Sequence, residues 1–247
     1  MRKMKFWSIL LLMAVSLPLF NSCGSDDDDN NDGVDVTPIS IYSDEEKTIT
    51  GAKSISSSND FVTLINGNTV KGYHVGNASL TVNGNKTIPI TVLPKYHLYD
   101  DPVCNWGCDA NYVKSHQKQG TISSKSTNDM IAYENAGAAS YLIYSFKNGI
   151  LSSVGAVVST NYTSQYSSYL SERYMMIPYY KGEDTYFIGA DALELEKANT
   201  VAVLQVYSST QLITVYMPAK DYTRSAYSDV ANYEKNAKEI LKRLNLK

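Results

Sequence analysis

Three Asn-Gly dipeptides, Asn66-Gly67, Asn83-Gly84 and Asn148-Gly149, each stand between short runs rich in β-branched and aromatic residues. Asn and Gly tolerate the positive φ that type I′ hairpins require, so each dipeptide marks a place where two antiparallel strands turn back on each other. This confines much of the chain to antiparallel β-structure. Between Pro38 and Pro94 the runs 61–65, 70–73, 78–82 and 87–92 read as strands. Several alternate apolar and polar residues, so each buries one face.

Beyond Pro94 the pattern changes. A short helix is expected over 110–118, with Asp109 as N-cap and Gly120 as its stop. Strands follow at 130–133, 140–146 and 151–159, the last two joined by Asn148-Gly149. A second helix fits 162–174, because Tyr162, Tyr166, Tyr169, Leu170 and Arg173-Tyr174 recur every three or four residues on one face. Four more strands fit 176–180, 185–188, 201–207 and 212–217. Helix then strands, twice, predicts a weak tandem α-β repeat in which helices cover one face of an antiparallel sheet. The chain closes with an amphipathic helix over 227–244, whose stripe Val230, Tyr233, Ala237, Ile240, Leu241 and Leu244 is expected to pack on that sheet. The expected fold class is multi-domain β plus α+β.

The amino terminus reads as an address. Arg2, Lys3 and Lys5 precede an apolar run over 6–20 broken by Pro18, the layout of a secretory signal and too short for a stable membrane span. Asn21-Ser22-Cys23 at its end resembles the lipobox of bacterial lipoproteins. That resemblance implies removal of residues 1–22 and acylation of Cys23, which would hold the protein at a membrane through fatty chains such as palmitate. The following Gly24-Ser25-Asp26-Asp27-Asp28-Asp29 resembles the export signal of Bacteroidetes surface lipoproteins, in which Ser25, Asp26, Asp27, Asp28 and Asp29 would direct the chain to the exterior of the outer membrane. Consecutive aspartates repel one another, so an extended, disordered leash is expected up to Asp35 within an anchor-and-linker segment 23–37.

The words Ser57-Ser58-Asn59, Val62, Asn66-Gly67, Val70 and Gly76-Asn77-Ala78-Ser79-Leu80-Thr81-Val82 resemble the group 2 bacterial immunoglobulin-like family. The resemblance implies a small immunoglobulin-like β-sandwich over 38–94 that serves as a stalk or adhesion module. The remainder, 95–247, is the α+β domain. Its phrase Trp106-Gly107-x-Asp109-x-x-x-Val113, followed by Tyr144-Ser145-Phe146-Lys147-Asn148-Gly149-x-Leu151, is similar to a layout of uncharacterised Bacteroidetes lipoproteins. It also resembles the helix-then-hairpin order of small outer-membrane assembly lipoproteins and of a secreted β-lactamase inhibitor, which implies architecture alone.

Charge excludes one class of partner. The chain carries a formal net charge of −3, and its expected signal holds only basic charges, so the remainder is more acidic still and nucleic acid is a poor partner. Catalytic signatures are absent: there is no G-x-S-x-G, no phosphate loop, no H-E-x-x-H and no dinucleotide loop. The histidines are His74, His97 and His116, and His74, at a strand end, is expected to be solvated. Cys104 and Cys108 lie four apart, a spacing that admits a small-loop disulfide, two free thiols or metal ligands. With His97 and His116 they have the residue types of a zinc site but not its spacing, so no metal and no cofactor are expected.

Asp100-Asp101, or Glu194 with Glu196, could supply the two carboxyls of a glycoside hydrolase, whose separation a sequence does not disclose. Aromatic faces stack on sugar rings, which makes Trp106, Tyr179 and Tyr180 candidates for a ligand platform, whereas the helical spacing of Tyr162, Tyr166, Tyr169 and Tyr174 points to packing. The expectation is a non-enzymatic cell-surface module for binding, adhesion or display, held at the membrane by its lipid and meeting an extracellular glycan or protein. The alternatives are an envelope assembly or structural factor and a carboxylate-dependent glycoside hydrolase.

Overall fold

Pro89 stands within the run Thr87–Val92 and has no backbone N–H to donate to a neighbouring strand. The structure, a computed structural model that describes residues 33–221 together with 234, 236–239 and 242, shows how it is tolerated. Strand β7 (Lys86–Leu93) lies between β1 (Ile39–Tyr42) and β6 (Gly76–Val82). The parallel pairing with β1 begins only at Ile90, so the β1 side of Pro89 carries no ladder. Strand β3 (Ile55–Ser57) completes this sheet in the order β1-β7-β6-β3. A second sheet runs β2 (Glu46–Thr48), β5 (Thr69–Gly72) and β4 (Thr63–Asn66). The two sheets enclose one core that includes Ile41, Phe61, Val70, Leu80, Ile88 and Ile90.

Val34 is buried in that core, and the Asp35 carboxylate accepts the Thr37 amide at 2.8 Å. Ordered packing therefore starts inside the segment expected to be leash, because an apolar side chain upstream of Pro38 finds a place in the core. The acidic run before it lies outside the described residues.

Turn chemistry follows the dipeptides with differences in register. Asn148 and Gly149 both hold positive φ, 54° and 79°, between the paired residues Lys147 and Ile150, a two-residue loop of the expected kind. At the first dipeptide, Asn66 instead pairs with Thr69 and ends β4, so the loop is Gly67-Asn68. Only Gly67 of that pair takes positive φ.

The second part of the chain runs α1 (Ala110–His116), β8 (Thr121–Ile122), β9 (Met130–Ala136), β10 (Ala139–Lys147) and β11 (Ile150–Ser159). It continues α2 (Thr163–Ser171), β12 (Met175–Lys181), β13 (Asp184–Ala190), β14 (Thr200–Val206) and β15 (Gln211–Pro218). A helix followed by four strands thus occurs twice. The strands form one antiparallel sheet in the order β12-β13-β14-β15-β11-β10-β9-β8, so the last strand of each set meets the other at the centre through pairs such as Ala156 with Thr214. Helix α1 is capped as expected, Asp109 Oδ1 accepting the Tyr112 amide at 2.8 Å. It stops at Gln117, which turns extended and is buried under the hydroxyl of Tyr144. Gly120 lies beyond this end.

Helices meet both faces of the large sheet, whereas one covered face was expected. On one side Tyr166, Tyr169 and Leu170 of α2 and Val113 of α1 pack on Leu142, Tyr144, Val154 and Tyr216. On the other, Ala237, within the helical residues 236–239, packs with Ile143, Val157, Val203, Ile213 and Val215. The reason lies in β11 and β15, which are buried along nearly their whole length and so present apolar side chains to both sides. A sheet of that kind needs two covering layers. Of the stripe expected over 227–244, only Ala237 falls among the described residues. Among those residues no helix is long and apolar enough to cross a membrane.

The described residues all belong to one compact unit. Glu172, at the end of α2, joins its two parts. Its carbonyl accepts the Val75 amide at 2.7 Å. Its buried carboxylate accepts the Ser43 hydroxyl and the amides of Lys95 and Tyr96, at 2.9 and 3.1 Å.

Candidate functional site

Around Trp106 the backbone turns tightly, the Trp106 amide reaching Cys104 O at 3.0 Å and the Cys108 amide reaching Asn105 O at 3.1 Å. These turns carry the indole to the start of β14, where Nε1 donates to Thr200 Oγ1 at 3.1 Å. Thr200 is itself fixed, because Asp191 Oδ1 accepts the amides of Asn199 and Thr200 at 2.8 and 3.0 Å. A buried anchor of this sort sets the plane of the ring before any ligand arrives.

Opposite stands Arg173. Its Nε donates to Asp101 Oδ1 at 2.5 Å, its Nη1 donates to Tyr169 O at 3.0 Å, and its guanidinium carbon lies 3.9 Å over the Tyr169 ring. Tyr169 donates its hydroxyl to the same Asp101 oxygen at 3.0 Å. Burial is the largest influence and opposes the charge of Arg173, but the Asp101 carboxylate together with Tyr169 and Tyr216 outweighs it and holds the guanidinium above its ordinary value.

Between these groups opens a cleft of about 500 Å³, lined by Val75, Asp101, Cys104, Trp106, Arg173, Tyr174, Asp191 and Thr200. All the hydrogen bonds that Asp101 and Asp191 accept from described residues go to Oδ1, which leaves Oδ2 of each as an acceptor. The site can offer an aromatic face and carboxylate acceptors in one place, with the Arg173 cation held against Asp101.

No family model, curated protein or solved structure matches this chain. The chemistry of the cleft therefore rests on its own residues.

Trp106 lies in it, but Tyr179 and Tyr180 do not. Tyr179 packs toward the opposite face of the sheet beside Tyr186, and Tyr180 is 71% exposed near the far end of edge strand β12. Cys104 and Cys108 are free thiols in the structure. Burial, followed by the negative charges of Asp101 and Asp191, pushes the Cys104 thiol up, so it stays protonated and is a poor nucleophile. His97 is exposed, and His116 stacks on Tyr112 within α1, its Nδ1 lying 2.9 Å from Tyr112 O. Among the described residues no group of three or more His, Cys, Asp or Glu could hold a metal. His74, expected to be solvated, is 2% exposed, because its ring is apolar enough to fill the core beside Phe61.

Of the carboxylate pairs, Asp101 reaches the cleft without Asp100, and Glu194 pairs with Lys197 on a surface turn. The other carboxylate that lines the cleft is that of Asp191. Arg173, Asp191 and Thr200 had no distinguishing signal in the sequence, since an ordinary helix end, a turn and a strand start carry them. Tyr166 and Tyr169 are fully buried, in line with their helical spacing. Cys23, Ser25, Asp26, Asp27, Asp28 and Asp29 lie outside the described residues.

Proposed function

We propose that this chain is a lipid-anchored protein of the outer-membrane surface that binds a glycan in the Trp106 cleft without transforming it. The carrying observation is Trp106 held by Thr200 beside the available oxygens of Asp101 and Asp191. A preset ring offers its face to the apolar side of a sugar, and carboxylate oxygens accept the hydroxyls around it. The Cys104 thiol, partly buried and held protonated, supports binding over nucleophilic chemistry. The two small sheets around one core agree with the immunoglobulin-like reading, in which this part is a stalk. Cys23 and the acidic run supply the address: the lipid is the membrane partner, and Cys23→Ala should release the protein from membranes.

The test is a glycan array probed with the purified chain and with Trp106→Ala. Binding that the substitution abolishes supports the proposal. Release of a shorter sugar from any bound glycan, lost in Asp101→Asn or Asp191→Asn, would replace it with the hydrolase reading.

A second reading, an envelope assembly factor, has its own observation. Beyond α2 the same sheet face leaves Tyr180, Phe187 and Val206 exposed, beside a small apolar groove between Leu170 and Leu212. Apolar patches of this kind mark protein contacts. Co-purification of outer-membrane proteins that is lost in Phe187→Ser would favour it over glycan binding.

A further inference from the structure

A second pocket adjoins the first. It measures about 370 Å³ and lies between the small β-part and α2, lined by Ser43, Tyr73, Tyr96, Glu172 and Tyr174. Tyr174 lines both pockets, and the residue pairs His74-Val75 and Glu172-Arg173 each place one member in either pocket. The two hollows therefore lie side by side along the junction of the two parts, with Tyr174 at their shared wall. Gly189 lets Tyr174 stand there, since a Cβ at that position would be 2.8 Å from the Tyr174 Cβ. Trp106, Tyr174 and Tyr96 thus mark successive aromatic positions from one pocket to the next, and Tyr96 is 39% exposed.

The charges around this track decide what can lie in it. Asp101 and Asp191 face the first pocket, Asp44 and Glu172 the second. The cations beside them are taken: Arg173 pairs with Asp101 and Glu172, and Lys71 pairs with Asp44 at 2.9 Å. A ligand bearing carboxylates or sulfates would meet repulsion at both ends, whereas neutral hydroxyls find acceptors in Asp101 and Asp191 at one end and in Asp44 at the other.

We infer that the ligand is an extended neutral glycan that occupies both pockets at once and crosses Tyr174. This rests on the glycan-binding reading of the Trp106 cleft and adds to it the length and charge of the ligand. Occupying the second pocket turns one binding event into two joined ones, so affinity rises with chain length until both are filled.

The experiment is isothermal titration calorimetry of the full chain, in detergent, with neutral cello-, manno- and xylo-oligosaccharide ladders from disaccharide to octasaccharide. Polygalacturonate fragments of matched length serve as the anionic comparison. The expected result is a Kd that falls by about tenfold along one neutral ladder and then levels, and that Tyr96→Ala returns to the short-ligand value. Tyr96 is exposed, and a thermal melt of the variant confirms folding. A Kd independent of length, with Trp106-dependent binding retained, overturns this inference and leaves the cleft reading standing. Equal affinity for the anionic fragments overturns the charge argument and with it the inference. Binding of peptides in place of every ladder, or of nothing, overturns both.

Discussion

The imidazole of His74 lies flat on the ring of Phe61, centroids 3.9 Å apart and planes within 1° of parallel. Its Nδ1 lies 2.8 Å from Phe61 O, a carbonyl that can only accept, so Nδ1 carries the proton of the neutral ring. Tyr73 closes the site edge-on at 4.0 Å.

Burial lowers the His74 pKa below its ordinary 6.5, against the smaller opposing effects of the Phe61 carbonyl and Asp44. The unfolded chain then takes up a proton more readily than the folded one. Stability from this group is complete above about pH 6.5 and is lost as pH falls through the lower folded value. Urea unfolding between pH 8 and pH 5 should show the midpoint falling on the acid side. His74→Gln, which can still donate to Phe61 O, should flatten that fall; an unchanged profile would refute the assignment.

Glu172→Ala should cost about 3 kcal/mol, since it strips the acceptor from the Ser43 hydroxyl and from two backbone amides at a buried place. Because those donors belong to the small β-part and the connecting segment, the loss should loosen the junction before the core of either part. Hydrogen exchange should speed up at Val75, Lys95 and Tyr96 first. Uniform acceleration throughout the molecule would contradict the role of Glu172 as the local tie.

Two tyrosines make an internal comparison. The Tyr216 hydroxyl lies 2.7 Å from that of Tyr99, which also meets Tyr166 at 2.9 Å, and Tyr166 donates to Thr214 at 2.7 Å. The Tyr133 hydroxyl is buried without a partner among the described residues. Tyr216→Phe should therefore destabilise by about 1 kcal/mol by breaking a satisfied network, and Tyr133→Phe should be neutral or stabilising. Denaturant unfolding of both variants checks the difference, and equal costs would refute it.

How far the fold was legible varied with how local its cause was. The loop Asn148-Gly149, the cap Asp109 and the burial of Tyr166 and Tyr169 each arise within a few residues, and each is visible as a pattern of neighbours. The strands β1, β2 and β3 are short enough that their apolar positions form no run. The covering of both sheet faces was missed because a helix stripe does not say which face it meets. At the candidate site, Trp106 stands out by residue type, whereas Arg173 reads only as part of a helix face and Asp191 as part of a turn, because nothing near them in the chain is unusual.

Turn positions, strand alternation and helix caps are set along the chain, because φ preference, side-chain period and capping act over one to four residues. The meeting of Asp101 with Arg173, and of Trp106 with Thr200, depends instead on where β14 and the end of α2 arrive once β11 and β15 pair at the centre of the sheet. Those contacts join residues 72 and 94 positions apart. No local preference specifies such a distance, and only the packed sheet brings the groups within hydrogen-bond reach.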